Sequence, residues 1–135
     1  MTHVQSMLDA YPKDVAGIDK AKLVECMQAC FDCAQTCTAC ADACLNEDMV
    51  AELTKCIRTN LDCVDICAAT GKILSRHGNY DVGITGAVLE ACRTACRACA
   101  EECGQHASMH QHCEVCADAC RHCEQACSDL LASLA

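Results

Sequence analysis

A chain of 135 residues has the length of one domain, and its net charge of −9 excludes the positive face that nucleic acid or an anionic membrane surface requires. Tyr11, Phe31 and Tyr80 are the whole aromatic complement against eighteen cysteines, so thiols must fill much of the core, packing as small hydrophobes. No apolar run approaches the ~20 residues of a membrane span, and residues 1–7 lack the basic and apolar regions of a secretory leader, so the cytosol is the expected location.

Residues 1–18 read as an N-terminal extension. A short helix is expected over Val4 to Ala10, interrupted by Pro12, with Val4, Leu8 and Tyr11 at helical spacing for packing on the rest. Asp19 is a good cap for a first long helix reaching Leu45. It carries Cys26, Cys30, Cys33, Cys37, Cys40 and Cys44, and the alternating steps of four and three are the interval that keeps residues on one helical seam. Every seam slot where a coiled coil would carry Leu or Ile carries a thiol.

Asn46 reads as the cap of the next helix, with Glu47 and Asp48 at the positive end of its dipole and Gly78 as a stop after Arg76 or His77. Its seam holds Cys56, Cys63 and Cys67, with Asn60 in the slot between the first two, where a buried amide serves as a register or hydrogen-bonding device, the alternative being an amide oxygen near a metal site. Asn79 to Asp81 form a turn. The third long helix, weakened near its start by Gly83 and Gly86, carries Cys92, Cys96, Cys99 and Cys103 to about Gln105. Ser108 and Gln111 suggest a capping box for a fourth, which bears Cys113, Cys116, Cys120, Cys123 and Cys127 and reaches Leu134. Connections this short make consecutive helices antiparallel neighbours. The expectation is an all-α, up-down-up-down four-helix bundle over residues 19–135 with sulfur turned inward, and no strand signal competes.

Disulfides fit neither a reducing compartment nor the spacing. Neighbours three or four residues apart on a helix have Cβ atoms roughly 5–6 Å apart, whereas a disulfide needs about 3.8 Å. The same thiols are well placed to share metal ions. Cu(I), Zn²⁺ and iron–sulfur clusters are the soft candidates, and the CxxC pairs lose their usual zinc or iron–sulfur meaning when embedded in a continuous helical seam. Charge separates the three. Eighteen buried thiolates need neutralising, which a monovalent ion does about one for one while tetrathiolate zinc leaves a surplus of negative charge. Thiolate softness also selects Cu(I), so multiple cuprous ions in a shared network are expected, with protons released on loading.

Following the seams outward, one end of the bundle gathers Leu23, Leu74, Leu89, Leu130, Leu131 and Leu134 and is sealed. The other gathers Cys44, Met49, Cys103, His106, Met109, His110 and Cys113 and has no leucine plug in this reading. Thioether and imidazole bind Cu(I) without losing a proton at neutral pH, so His106, Met109 and His110 are candidate ligands at a mouth. Taken singly, Met49 and Met109 are gap-fillers and the histidines polar residues at a turn. His112 falls one position off the seam and is the weaker candidate, and His122, His3 and His77 are expected to face water.

On the first long helix Val24, Met27, Phe31, Ala34, Thr38, Ala41 and Leu45 read as outward, as do Val50, Ile57, Leu61, Val64 and Ala68 on the second. That second apolar stripe suggests self-association through these two helices. The later helices show Arg93, Arg97, Glu114, Arg121 and Glu124 instead. Asp62, Asp65, Glu101 and Glu102 read as solvated faces, and no catalytic constellation stands out, so an enzyme is not expected.

A bundle whose seams are given over to repeated CxxxC and CxxC, as in Cys26 to Cys44 and Cys113 to Cys127, resembles the bacterial copper storage proteins over residues 19–134. The missing leader makes it similar to their cytosolic branch. The resemblance implies high-capacity Cu(I) storage in a preformed, tetrameric bundle with the cysteines as ligands. Against it stand a metallothionein-like zinc or mixed-metal buffer, and an iron–sulfur or thiol redox protein, which would single out one exposed, low-pKa cysteine.

Overall fold

The structure, a computed structural model, describes residues 3–15 and 17–134. Met1, Thr2 and Ala16 of the expected extension and Ala135 of the expected bundle lie outside the described residues. Five helices follow one another: α1 (Val4–Asp9), α2 (Lys20–Leu45), α3 (Thr54–Leu74), α4 (Val82–His106) and α5 (Gln111–Ser133), with a 3₁₀ turn at Val50–Glu52. No strand occurs among the described residues.

Helices α2 to α5 form the four-helix bundle. Each packs on two neighbours, α2 on α3 and α5, and α4 on the same pair. Sulfur pairs give the directions directly. Cys26 meets Cys127, Cys33 meets Cys120 and Cys40 meets Cys113, so α2 and α5 run antiparallel. Cys56 with Cys103 and Cys67 with Cys92 make α3 and α4 antiparallel, while Cys30 with Cys92 and Cys37 with Cys99 make α2 and α4 parallel across the diagonal.

Two helix starts follow their cap residues. The Asp19 carboxylate accepts from the Lys22 backbone N–H at 3.0 Å, and that of Asp81 from Gly83 and Ile84 at 2.8 and 3.1 Å, after a turn in which Asn79 takes a left-handed φ of 53°. The two connections at the other end differ from expectation. Asn46 closes α2 rather than opening α3: its amide donates back to the Asp42 carbonyl at 2.9 Å, and the chain then turns through Val50–Glu52 so that Leu53 sinks into the bundle end. Ser108 caps nothing, because backbone bonds from Met109 and His110 to the His106 carbonyl close α4 and leave His110 as the extended residue before α5. The second and fourth helices of the bundle also stop slightly short of their expected ends, at Leu74 and Ser133.

The outer stripe is narrower than the spacing suggests. Val24, Met27 and Ala41 are buried, and with Leu8 also buried, the extension folds back over the first of these helices. Phe31 is half-exposed and lies across Gly71 of α3, where a Cβ would stand 2.7 Å from the ring tip; glycine is what lets the ring approach. Leu45 and Leu61 remain exposed. On the far side the Arg97 guanidinium ties α4 to Glu124 of α5 at 2.7 Å.

Candidate metal centre

All eighteen cysteines are free thiols, and all are buried. The helical seam positions that bring them together repeat the four-three step of the sequence, with Asn60 filling the one slot between Cys56 and Cys63, so the bundle axis becomes a column of sulfur rather than of branched aliphatics. The column contains overlapping sets of four whose sulfurs all lie within 4.8 Å of one another. From the leucine end these include Cys30, Cys92, Cys123 and Cys127, then Cys33, Cys63, Cys67 and Cys96, then Cys37, Cys99, Cys116 and Cys120, and finally Cys40, Cys44, Cys56 and Cys113. Sets share members, as Cys33 lies 3.7 Å from both Cys37 and Cys120 and 3.9 Å from Cys63. A sulfur with several sulfur neighbours at such distances can bridge two soft ions.

Burial opposes charge on every one of these thiols, and hydrogen bonds between them decide which proton is held more tightly. Cys33 and Cys63 are shifted down chiefly by hydrogen bonding with Cys120, Cys92 with Cys123 and Cys116 with Cys103. Their neighbours Cys30, Cys67 and Cys96 are raised, each chiefly through Cys123. At the last tier, burial pushes Cys44 up to about 11 and Cys113 up to about 12, while hydrogen bonding with Cys103 and then Cys40 pulls Cys56 down to about 3.

Asn60 is fully buried inside the column. Its Oδ1 accepts from the thiols of Cys99, Cys116 and Cys103 at 3.0, 3.2 and 3.4 Å, and its amide nitrogen faces Cys56 Sγ at 3.9 Å. It is the hydrogen-bonding device that its seam position suggests, satisfied by sulfur from two other helices.

The histidine end combines imidazoles with carboxylates. His110 Nδ1 and His112 Nε2 stand 2.9 and 2.8 Å from the same Glu47 oxygen, and hydrogen bonding by His112 is the main reason that the Glu47 carboxyl titrates below its ordinary range. The other nitrogen of His112, Nδ1, lies 3.4 Å from Cys40 Sγ and 3.6 Å from Cys113 Sγ. His112 therefore faces the column more closely than its off-seam position suggests. His106 Nε2 donates to the Glu102 carboxylate at 3.0 Å and is near enough to Cys56 to favour its thiolate. Met49 is half-buried at this end, and Met109 stands 64% exposed at the rim.

Two expectations about this end are corrected. Glu102 is buried rather than solvated, held by His106 and, at 3.6 Å, by the Lys55 ammonium from α3. Leu53 supplies an aliphatic residue, 1% exposed, where none was expected. The remaining histidines divide: His3 and His122 are exposed, the latter 2.8 Å from Glu25, whereas His77 is half-buried with its ring edge-on to Tyr11 at 5.0 Å.

The profile of the copper storage protein family matches residues 19–132. The chain belongs to the copper storage protein family. Among solved structures it is similar to a copper storage protein from Streptomyces lividans loaded with 10 copper equivalents, at 58% identity and a TM-score of 0.96, covering 97% of this chain and 99% of that one. A cytosolic copper storage protein from the same organism, carrying five coppers, is 60% identical with a TM-score of 0.84, covering 85% of this chain and 96% of that one. The Cu(I)-bound copper storage protein BsCsp3 is 35% identical with a TM-score of 0.71, covering 78% and 94%. Comparison with curated proteins gave no match.

For a copper storage protein the leucine end has a plain structural meaning. Leu23, Leu74, Leu89 and Leu130 are buried there, with Leu131 and Leu134 half-buried around them. No helix among the described residues is long and apolar enough to cross a membrane.

Proposed function

We propose that this chain stores Cu(I) in bulk in the cytosol, holding the ions between the thiolates of its eighteen column cysteines. The supporting observation is the continuity of the column: overlapping sets of four buried sulfurs within 4.8 Å leave no isolated site. Each Cu(I) that displaces a thiol proton leaves a neutral copper–thiolate unit, so the column can fill without accumulating buried charge. Tetrathiolate zinc would accumulate two negative charges per site. A redox enzyme needs a thiol that substrate can reach, and no column cysteine is more than 2% exposed. Storage needs no catalytic group.

Copper is admitted at the histidine end. His106, His110 and His112 supply imidazole nitrogen next to the last tier of thiols, and Met109 offers a thioether at the exposed rim. The protein assembles as a tetramer through the first two bundle helices, a reading supported by the resemblance and by exposed Leu45, Leu61 and half-exposed Phe31.

The test is anaerobic titration of the fully reduced protein with Cu(I) against a calibrated chelator. Saturation on the order of one copper per thiol is the expected result. Saturation after one or two ions refutes storage.

A further inference from the structure

An ionised carboxylate only accepts hydrogen bonds, so each imidazole that meets one must present its N–H there. Glu47 meets two. Its Oε2 lies 2.9 Å from His110 Nδ1 and 2.8 Å from His112 Nε2, with the two rings stacked at 5.5 Å between centroids and 22° between planes. In their neutral forms the two rings must therefore be opposite tautomers, Nδ1–H in His110 and Nε2–H in His112. Each lone pair is left on the nitrogen turned away from Glu47. In His112 that nitrogen faces Cys40 and Cys113 at 3.4 and 3.6 Å. In His110 it is Nε2, which is buried without a hydrogen-bond partner, in a side chain only 9% exposed.

A buried nitrogen with a free lone pair is costly in a resting fold and useful in one that awaits a cation. The reverse tautomers would satisfy neither the carboxylate nor an arriving metal, because both rings would turn a lone pair to Glu47 and leave N–H on His112 Nδ1, beside Cys40 and Cys113, and on the buried His110 Nε2. Glu47 sits in the connection after α2 while both histidines open α5, so this one side chain holds the orientation across two separate segments.

We propose that Glu47 is the positioning residue of the histidine end. It fixes His110 and His112 in opposite tautomers, presents both lone pairs to an incoming Cu(I), and so sets the rate of capture without touching the metal. This rests on reading that end as the point of admission. Glu102 stands in the same relation to His106, with one oxygen on Nε2 at 3.0 Å.

The substitution that tests this is Glu47→Gln, which keeps the side chain's shape but mixes donor and acceptor where only an acceptor now stands. Nitrogen-15 NMR of the histidines in the reduced, metal-free full chain reads the tautomer at each ring. Wild type should show Nδ1–H at His110 and Nε2–H at His112, and Glu47→Gln should show both rings mixed. Stopped-flow capture of Cu(I) from a cuprous chelate should slow by roughly tenfold in Glu47→Gln at unchanged total capacity, as is usual when the group orienting a metal-binding histidine is lost. Glu47→Asp, which keeps the carboxylate, should recover part of both.

Averaged or reversed tautomers in wild type overturn the proposal, as does an unchanged pattern or capture rate in Glu47→Gln. The variant with His106, His110 and His112 all replaced by Ala separates the two readings. If it captures copper at the wild-type rate, admission at this end is wrong; if it is slow while Glu47→Gln is fast, only the role of Glu47 fails.

Discussion

The two ends of the bundle close the same thiol column with the same four helices, yet one is finished in hydrocarbon and the other in paired charges and imidazoles. At the first, Leu23, Leu74, Leu89 and Leu130 exclude water. At the second, Glu102 is buried only because His106 and Lys55 satisfy it, and Glu47 bridges two histidines. Burial thus does different things in one molecule: it maximises contact at the leucine end, and it fixes the orientation of imidazoles at the end proposed to receive the ion. Stability should concentrate at the leucine end and metal exchange at the histidine end.

Truncating the leucine end is the strongest way to break that division. Leu130 is fully buried, and Leu130→Ala should lower the unfolding free energy of the metal-free protein by about 2–5 kcal/mol, measured by urea denaturation. Met109→Ala at the other end removes a side chain that is 64% exposed and should stay within about 0.5 kcal/mol of wild type. Similar losses in the two variants would mean that stability is spread evenly along the bundle and that the contrast between its ends is only chemical.

The thiols nearest the histidines sharpen the exchange side of the comparison. Burial holds Cys44 at about 11 and Cys113 at about 12, so both are protonated at neutral pH and must give up protons to bind Cu(I). Cys56 beside them is pulled the other way, to about 3, chiefly by hydrogen bonding with Cys103. Raised values make copper compete with protons throughout the range below them, so affinity for the first equivalents must fall as pH drops. Cys40 of the same tier is raised as well, and the expected slope is about tenfold per pH unit for each raised thiol that gives up its proton. Competition against a chelator at several pH values from 6.5 to 8.5, corrected for the chelator's own titration, measures it. A flat profile would show these thiols already ionised.

The difference between the ends also governs what the sequence reveals. A seam of Cys26, Cys30, Cys33, Cys37, Cys40 and Cys44 is legible because helical spacing alone places those residues on one face, and the four leucines follow by extending the same lines. The histidine end is set by contacts between segments that no spacing encodes. Asn46 has the chemistry of a helix start, but sinking Leu53 into the bundle requires a 3₁₀ turn first, so the amide closes the preceding helix instead. His112 is one residue off the seam of a continuous helix, but it begins α5 just after an extended His110 and is drawn in by Glu47 from the other connection. Glu102 carried one usable signal, its i,i+4 spacing to His106. Val24 and Met27 carried none, because what covers them is the extension.

That extension gives the leucine end a feature sensitive to mild acid, and the smallest of these effects. Leu8 is buried, and the Tyr11 ring stands edge-on to His77 beside a cavity of about 340 Å³ lined by Val4, Met7, Met27 and Ser75 among others. Burial lowers the His77 pKa below its ordinary 6.5, which means that the docked arrangement favours the neutral ring. Such a contribution is fully present above 6.5 and is lost as pH falls through the lowered value. Burial is the cause of the shift and His77 is only half-buried, so the effect is local and modest. Amide exchange corrected for intrinsic rates should show α1, Val4–Asp9, opening faster at pH 5.5 than at pH 7.5 while the middle of α5 around Cys120 stays protected. His77→Phe keeps an aromatic edge for Tyr11 without a titrating nitrogen and should abolish the difference. If α1 instead opens equally at both values in wild type, the extension is held by Leu8 and its apolar neighbours alone.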